Sequence, residues 1–282
     1  MNRLLCFGLG YSARVLAARL AAVGWCISGT SRSDEPSAAR STVPFDRDRS
    51  LSASAFEGVT HILVSIPPEN RGDVVLDLHA SHIAAMPRLR WLGYLSTTGV
   101  YGDRGGSWVD ETSELRPTGE RGRRRVIAEA GWLDLWRSRG VPVHIFRLAG
   151  IYGPDRSVFD ALRSGAAKRI DRPGHAFSRI HVDDLASVLL ASIEKPRPGA
   201  IYNVCDDEPA TPEAVVAHAA DLLGLPPLPL VPFAEANLSP MARSFWDDNK
   251  QVSNALIKKE LGVKLRYPDY RLGLAAILAA GG

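Results

Sequence analysis

The chain has 282 residues, 45% hydrophobic and 23% charged, enough for a full core and too polar on average for a membrane protein. Its 34 Lys and Arg against 31 Asp and Glu leave a formal net charge of +3, too weak over this much surface to imply a general nucleic-acid partner. Three cysteines, Cys6, Cys26 and Cys205, show no Cys-x-x-Cys spacing, which argues against a disulfide framework or structural zinc and suits a reducing cytoplasm.

Met1-Asn2-Arg3 and the apolar run at 4–7 imitate the opening of a signal peptide. Gly8 and Gly10 break that run well short of the roughly 7–15 apolar residues a signal needs. Residues 3–7 read instead as a buried strand leading into a helix over 12–23, with Val15, Leu16, Ala18, Leu20 and Val23 as its apolar face. A second strand is expected over 25–29 and further strands over 61–65, 91–96 and 143–148, with helices near 74–85 and 123–137. Short apolar runs alternating with helical patterns point to an α/β fold, a doubly wound parallel sheet. No run of about 18 apolar residues offers a transmembrane helix. Beyond residue 150 the pattern loosens, punctuated by Pro196, Pro198, Pro226, Pro227 and Pro229.

Gly8-Leu9-Gly10-Tyr11-Ser12-Ala13 falls where the first strand turns into the first helix, the context that gives this glycine pattern its meaning. Gly8 permits the tight turn, Gly10 the close approach of a pyrophosphate, and small Ala13 the packing of helix on strand. Tyr11 and Ser12 then stand at the free N–H end of the helix dipole, where phosphate is favoured. A glycine turn without a ligand is the other reading. Cofactor choice should be legible about 20 residues on, where an acidic residue would take the ribose 2′-hydroxyl of NAD. The segment here is Gly29-Thr30-Ser31-Arg32-Ser33. Its hydroxyls and guanidinium, with Ser31 and Arg32 foremost, suit the 2′-phosphate of NADP. NADP is therefore expected over NAD; Asp34 takes the NAD role if the strand ends a residue or two later. Ser65, closing the strand at 61–65, joins the expected cofactor set.

Tyr94-Leu95-Ser96-Thr97-Thr98-Gly99-Val100-Tyr101-Gly102-Asp103 is followed in order by Arg147-Leu148-Ala149-Gly150-Ile151-Tyr152-Gly153-Pro154, then Arg179-Ile180-His181-Val182-Asp183-Asp184-Leu185-Ala186, then Tyr202-Asn203-Val204. These landmarks resemble the extended short-chain dehydrogenase/reductase family, which includes the NAD-dependent epimerases and dehydratases of nucleotide sugars. With the glycine turn they cover residues 4–204. The tail, with Asn249-Lys250-Gln251-Val252-Ser253-Asn254 and Leu261-Gly262 before Tyr267-Pro268, is similar to an atypical branch of it. The resemblance implies a Rossmann domain at 1–152 and 176–204 that binds NAD(P), and a small substrate lobe at 153–175 and 205–282. It also implies a Ser or Thr after the fifth strand, matched by Thr97, and a Tyr-x-x-x-Lys on the next helix that moves a proton while the nicotinamide moves a hydride.

That Tyr-x-x-x-Lys is absent. With the helix anchored on Gly122 and Glu129, Arg121 takes the Tyr position and Arg125 the Lys position. The spacing places them on one face, with Glu129 a turn further on as an ion-pair partner for Arg125. Arg125 keeps the donors to bind ribose hydroxyls, whereas Arg121 cannot replace a tyrosine, because a guanidinium neither gives nor takes a proton near neutrality. Arg121, Arg123, Arg124 and Arg125 read either as a solvated basic face or as an anion-binding patch at the cleft mouth. Tyr101 is either a displaced acid or a packing group. The histidines show no metal-ligand spacing, and His79 and His82 are expected at the surface. His181, Asp183 and Asp184 imply a structural role at a helix start. No Gly-x-Ser-x-Gly elbow supports hydrolase chemistry.

Two function classes stay open: an NAD(P)-binding protein with weak or no ordinary dehydrogenase activity, sensing its cofactor or a metabolite, or an active NADP-dependent oxidoreductase or epimerase with a relocated proton donor. The expected partners are a dinucleotide and an unidentified small molecule, without nucleic acid or membrane; a homodimer is left open.

Overall fold

Strand β1 (Arg3–Phe7), helix α1 (Tyr11–Ala22) and strand β2 (Cys26–Ser31) make the first βαβ step, with short β3 (Thr42–Pro44) beyond it. Then come β4 (His61–Val64), α2 (Val74–Ala84), β5 (Trp91–Thr97), the two-residue β6 (Trp108–Val109), long α3 (Glu120–Arg139) and β7 (Val143–Leu148). The C-terminal half adds β8 (Gly150–Tyr152), α4 (Val158–Arg163), β9 (Arg169–Asp171), β10 (Arg179–His181), α5 (Val182–Glu194) and β11 (Ile201–Val204). It ends with α6 (Pro212–Leu222), β12 (Leu230–Pro232), β13 (Gln251–Val252) and α7 (Tyr270–Ala279). The computed structural model describes residues 1–32, 42–239, 242–243 and 245–281.

Seven strands form a parallel sheet in the order β11-β7-β5-β4-β1-β2-β3, the doubly wound arrangement whose direction of growth reverses between β1 and β4. Leu5 pairs with Ser28 on one side and Ile62 on the other. Strands β4 and β7 are buried along their whole length and β5 as far as Ser96, as parallel strands covered on both faces must be. Phe7, Ile62, Val64, Tyr94 and Trp132 are central to one apolar core, each such side chain contributing about 1.5–3 kcal/mol by burial. Helix α1 buries Ala13, Leu16, Ala17 and Leu20, one stripe of a 3.6-residue repeat. Ala18 and Val23, expected on that face, are exposed instead.

His79 also departs from expectation. It is 5% exposed, its Nε2 accepts the Leu51 N–H at 3.3 Å, and its ring packs against Phe7, Phe45 and Phe56. His82 is half-buried on Phe56. The face of α2 that the two share turns toward the sheet, so they serve as aromatic packing rather than surface groups.

The chain divides into two units: Met1–Thr97 with Glu120–Arg147 and Ala186–Tyr202, and Thr98–Gly119 with Leu148–Leu185 and Asn203–Gly282. Residues 98–119, 148–152, 176–185 and 203–204, expected with the Rossmann domain, thus group with the second unit. The reason is local: β8 follows β7 directly but pairs with β10, not with the main sheet. Further two-stranded parallel ribbons join β9 to β12 and β6 to β13. Around them Tyr152, Phe159, Leu162, Val215, Tyr270 and Leu274 form a separate core. Its helices start on sequence-encoded caps: Ser157 and Asp160 form a capping box on α4, Thr211 precedes Pro212 on α6, and Asp269 caps α7, each worth about 1 kcal/mol. Among the described residues no helix is long and apolar enough to cross a membrane.

Candidate functional site

The turn after β1 is built so that only glycine fits its first position. Gly8 has φ +86°, and a Cβ there would lie 2.9 Å from both Ser65 Oγ and Ile66 Cγ1, a conformation and a space that glycine alone tolerates. The Gly8 N–H donates to Thr30 Oγ1 at 2.9 Å, the Leu9 N–H to the Thr30 carbonyl at 2.9 Å, and Ser65 Oγ to the Gly8 carbonyl at 2.5 Å. Strands β2 and β4 therefore brace the turn from both sides. Gly10 caps α1 without a side-chain bond, and no acidic residue follows in the first turn. A Cβ at Gly10 would meet nothing within 4 Å. Beside that space Tyr11 and Ser12 are half-buried and Ala13 is packed inward, and the first turn of a helix presents N–H groups that favour an anion. The cradle fits a pyrophosphate.

Thr30, counted among the phosphate-facing hydroxyls, is 1% exposed and turned inward to hold Gly8. Alternation along β2 explains this correction, since neighbouring side chains point to opposite faces. Ser31 is half-buried and Arg32 exposed. Sequence reading missed Arg49, whose Nη2 donates to the Arg32 carbonyl at 3.0 Å while its Nε donates to Asp46 at 2.8 Å. Ser33, Asp34 and Glu35 lie outside the described residues.

At the end of β5, Ser96 and Thr97 diverge. Thr97 is half-buried, whereas Ser96 Oγ turns inward and donates to Glu129 Oε1 at 2.5 Å. Glu129 does not pair with Arg125; its carboxylate receives Arg147, with Nη2 to Oε2 at 2.8 Å and Nε to Oε2 at 3.2 Å. Both side chains are almost fully buried. The pair joins α3 to β7, and its Ser96 contact adds β5. Arg125, one turn earlier, reaches the sheet edge: its Nη1 donates to the Leu95 carbonyl, with Tyr94 Oη at 3.3 Å and the Tyr94 ring centroid 5.6 Å away. Burial pushes the Tyr94 phenol well up, so it stays protonated. Arg121 is exposed, and Arg123 pairs with Glu120 at 2.5 Å.

Gly8, Ser31, Ser65 and Thr97 each stand at the carboxyl end of a strand of one sheet, where open α/β sheets bind ligands. Tyr101 belongs to the second unit. It is fully buried, and its hydroxyl donates to Asn203 Oδ1 at 2.7 Å, which favours the packing role over the displaced acid. Asp184 accepts the Arg266 and Tyr267 N–H groups at 2.8 Å each, so it anchors the approach to α7.

The sheet order, the braced glycine turn and the carboxyl-edge residues define a Rossmann-fold protein of the short-chain dehydrogenase/reductase type. Residues 74–205 match the model of the NAD dependent epimerase/dehydratase family. Protein YeeZ of Escherichia coli K12 is 29% identical over 95% of this chain and 97% of its own length. A solved protein of unknown function from Silicibacter pomeroyi DSS is 51% identical, with 99% of each chain covered and a TM-score of 0.93. The dTDP-glucose 4,6-dehydratase of Bacillus anthracis, solved in complex with NAD, shares the fold at 19% identity, with 99% of this chain and 96% of that one covered and a TM-score of 0.75. By this match and by its fold the chain resembles the NAD-dependent epimerase/dehydratase family.

Proposed function

We propose that the chain binds a nicotinamide dinucleotide on the turn of Gly8, Gly10, Tyr11, Ser12 and Ala13, prefers NADP, and has weak or no ordinary dehydrogenase turnover. The observation that carries this reading is the state of α3. Where the family resemblance expects a phenol and an ammonium, Arg121 stands exposed and Arg125 is bonded to the Leu95 carbonyl. Neither guanidinium exchanges a proton near neutrality, so the helix carries neither group of the family's proton-transfer pair. When bound, the nicotinamide supplies the hydride chemistry. The chain's own residues bind and orient it: the first turn of α1 faces the pyrophosphate, Ser31 and Arg32 face the 2′-phosphate, and Arg125 donates to ribose hydroxyls.

Cofactor choice gives one test. NADPH should bind more tightly than NADH in calorimetry, and Arg32→Ala should reduce the preference about tenfold, the worth of a hydrogen bond to a charged group. Tighter binding of NADH by the unaltered protein would overturn the preference.

Turnover gives the other. Loss of a positioned general acid or base typically costs about 10²–10⁴-fold, so nicotinamide absorbance should change slowly with nucleotide sugars and small carbonyl compounds. Cofactor binding should persist. Arg121→Tyr with Arg125→Lys restores a phenol and an ammonium at the family positions and is expected to raise whatever rate is found. Rapid wild-type turnover that collapses in Thr97→Ala and survives in Tyr101→Phe would refute the inactive-site reading in favour of a relocated acid.

A further inference from the structure

A cavity built entirely from residues of the second unit has a use that the dinucleotide does not explain. Its volume is about 280 Å³, just below the roughly 300–1,000 Å³ of drug-sized ligand sites. Val158 from α4, Val215 from α6 and Leu274 from α7 give it apolar walls, and the rings of Tyr152 and Tyr270 complete them. Into this apolar space face two cations, Arg179 and, from the exposed rim, Arg156.

Arg179 is held rigidly. Its Nη1 donates to the carbonyls of Phe177 at 2.8 Å and Ala210 at 3.0 Å. No described residue accepts a hydrogen bond from its Nε or Nη2. The nearby acid, Asp206, is 1% exposed and attracts the guanidinium without hydrogen-bonding to it. Burial raises the Asp206 carboxyl above the usual carboxylate range, which weakens that attraction. A guanidinium whose Nε and Nη2 have no acceptor beside an apolar pocket is costly unless something anionic pairs with that edge. The acidic residue on the rim, Asp160, is occupied in the capping box of α4, where its Oδ2 accepts the Ser157 N–H at 3.1 Å.

We propose that this cavity binds a small carboxylic acid with an aromatic or branched apolar body, its carboxylate paired with Arg179 and Arg156 and its body held by Val158, Val215 and Leu274. A planar monoanion matches the free edge of the guanidinium fork. A dianionic phosphate would bring its second charge toward the Asp160 carboxylate on the rim, and a dinucleotide is too large for the space. The Tyr270 hydroxyl, kept protonated because burial raises its pKa, adds a neutral donor on the same wall. The site stands independently of the cofactor reading.

Calorimetry of the full chain with 4-methylbenzoate, its neutral isostere 4-methylbenzamide and inorganic phosphate tests the assignment. The benzoate should bind, with the benzamide at least about tenfold weaker and phosphate weaker than either. Arg156→Gln, at an exposed position, should weaken the benzoate several-fold, and Arg179→Gln should abolish its binding. Because Arg179 also ties the carbonyls of Phe177 and Ala210, Arg179→Gln is read only if its melting curve is unchanged. Whatever that curve shows, nuclear Overhauser contacts from the probe methyl to the methyls of Val215 and Leu274 in the wild-type protein locate the ligand. Equal affinity for benzoate and benzamide, tighter binding of phosphate, contacts elsewhere, or no benzoate binding up to about 10 mM would overturn the proposal.

Discussion

Gly10→Val should abolish dinucleotide binding while leaving the fold almost untouched. The backbone at Gly10 is extended, with φ −86° and ψ −164°, a region that any L residue adopts. A Cβ there meets no protein atom within 4 Å, so no core must move. The residue caps α1, where valine is a poorer choice than glycine, and this costs about 1 kcal/mol, roughly 2–4 °C in Tm. The isopropyl group instead fills the space that a pyrophosphate needs to reach the first-turn N–H groups. Losing two hydrogen bonds to a charged group, at about 1.5–3 kcal/mol each, lowers affinity by at least about 100-fold. Gly8→Ala should behave in the opposite way. Its left-handed φ of +86° and its 2.9 Å contacts with Ser65 and Ile66 strain the folded state itself, at about 1–3 kcal/mol before any ligand is added. Calorimetry with NADPH, paired with melting curves, separates the two variants. If Gly10→Val binds NADPH as the wild type does, the turn is not the pyrophosphate site.

The same distinction explains what could be read from the sequence. Strands β1, β4, β5 and β7 and helices α1, α2 and α3 were legible because buried parallel strands are continuous apolar runs and their crossover helices carry a periodic stripe. The glycine turn was legible because its backbone demands leave a residue signature. Side-chain direction was not. Thr30 and Ser31 are neighbours with the same chemistry, and only the pleat decides that Thr30 braces Gly8. Glu129 sits one helical turn from Arg125, and local spacing predicts that pair. The partner it actually takes, Arg147, is 18 residues away on β7, a contact that exists only once helix and sheet have docked. His79 was misjudged for the same reason, since a helical face shows its environment only when its neighbour is known. The second unit was hardest, because its ribbons are two or three residues long and leave no periodic trace.

Breaking the Glu129–Arg147 pair should destabilise the first unit strongly. The two side chains are 2% and 3% exposed, and Glu129 also accepts from Ser96. Glu129→Gln leaves a buried guanidinium facing an amide, and removing one partner of such a pair typically costs about 3–5 kcal/mol. At about 2–4 °C per kcal/mol, the midpoint should fall by roughly 6–20 °C. Arg147→Met should be milder, because a lone carboxyl can shed its charge by taking up a proton and a lone guanidinium cannot. Glu129→Leu combined with Arg147→Met removes both charges together and should recover much of the loss, since apolar replacements of buried pairs are often neutral. Ser96 immediately precedes Thr97, and Arg125 lies one turn from Glu129 on the same helix. Loosening α3 should therefore also weaken NADPH binding in Glu129→Gln at temperatures where the variant is still folded. Thermal melts of the three variants, with calorimetry on each folded protein, check both parts. A shift below about 0.5 kcal/mol for Glu129→Gln, within the ordinary range of surface substitutions, would mean that the pair does not hold helix to sheet.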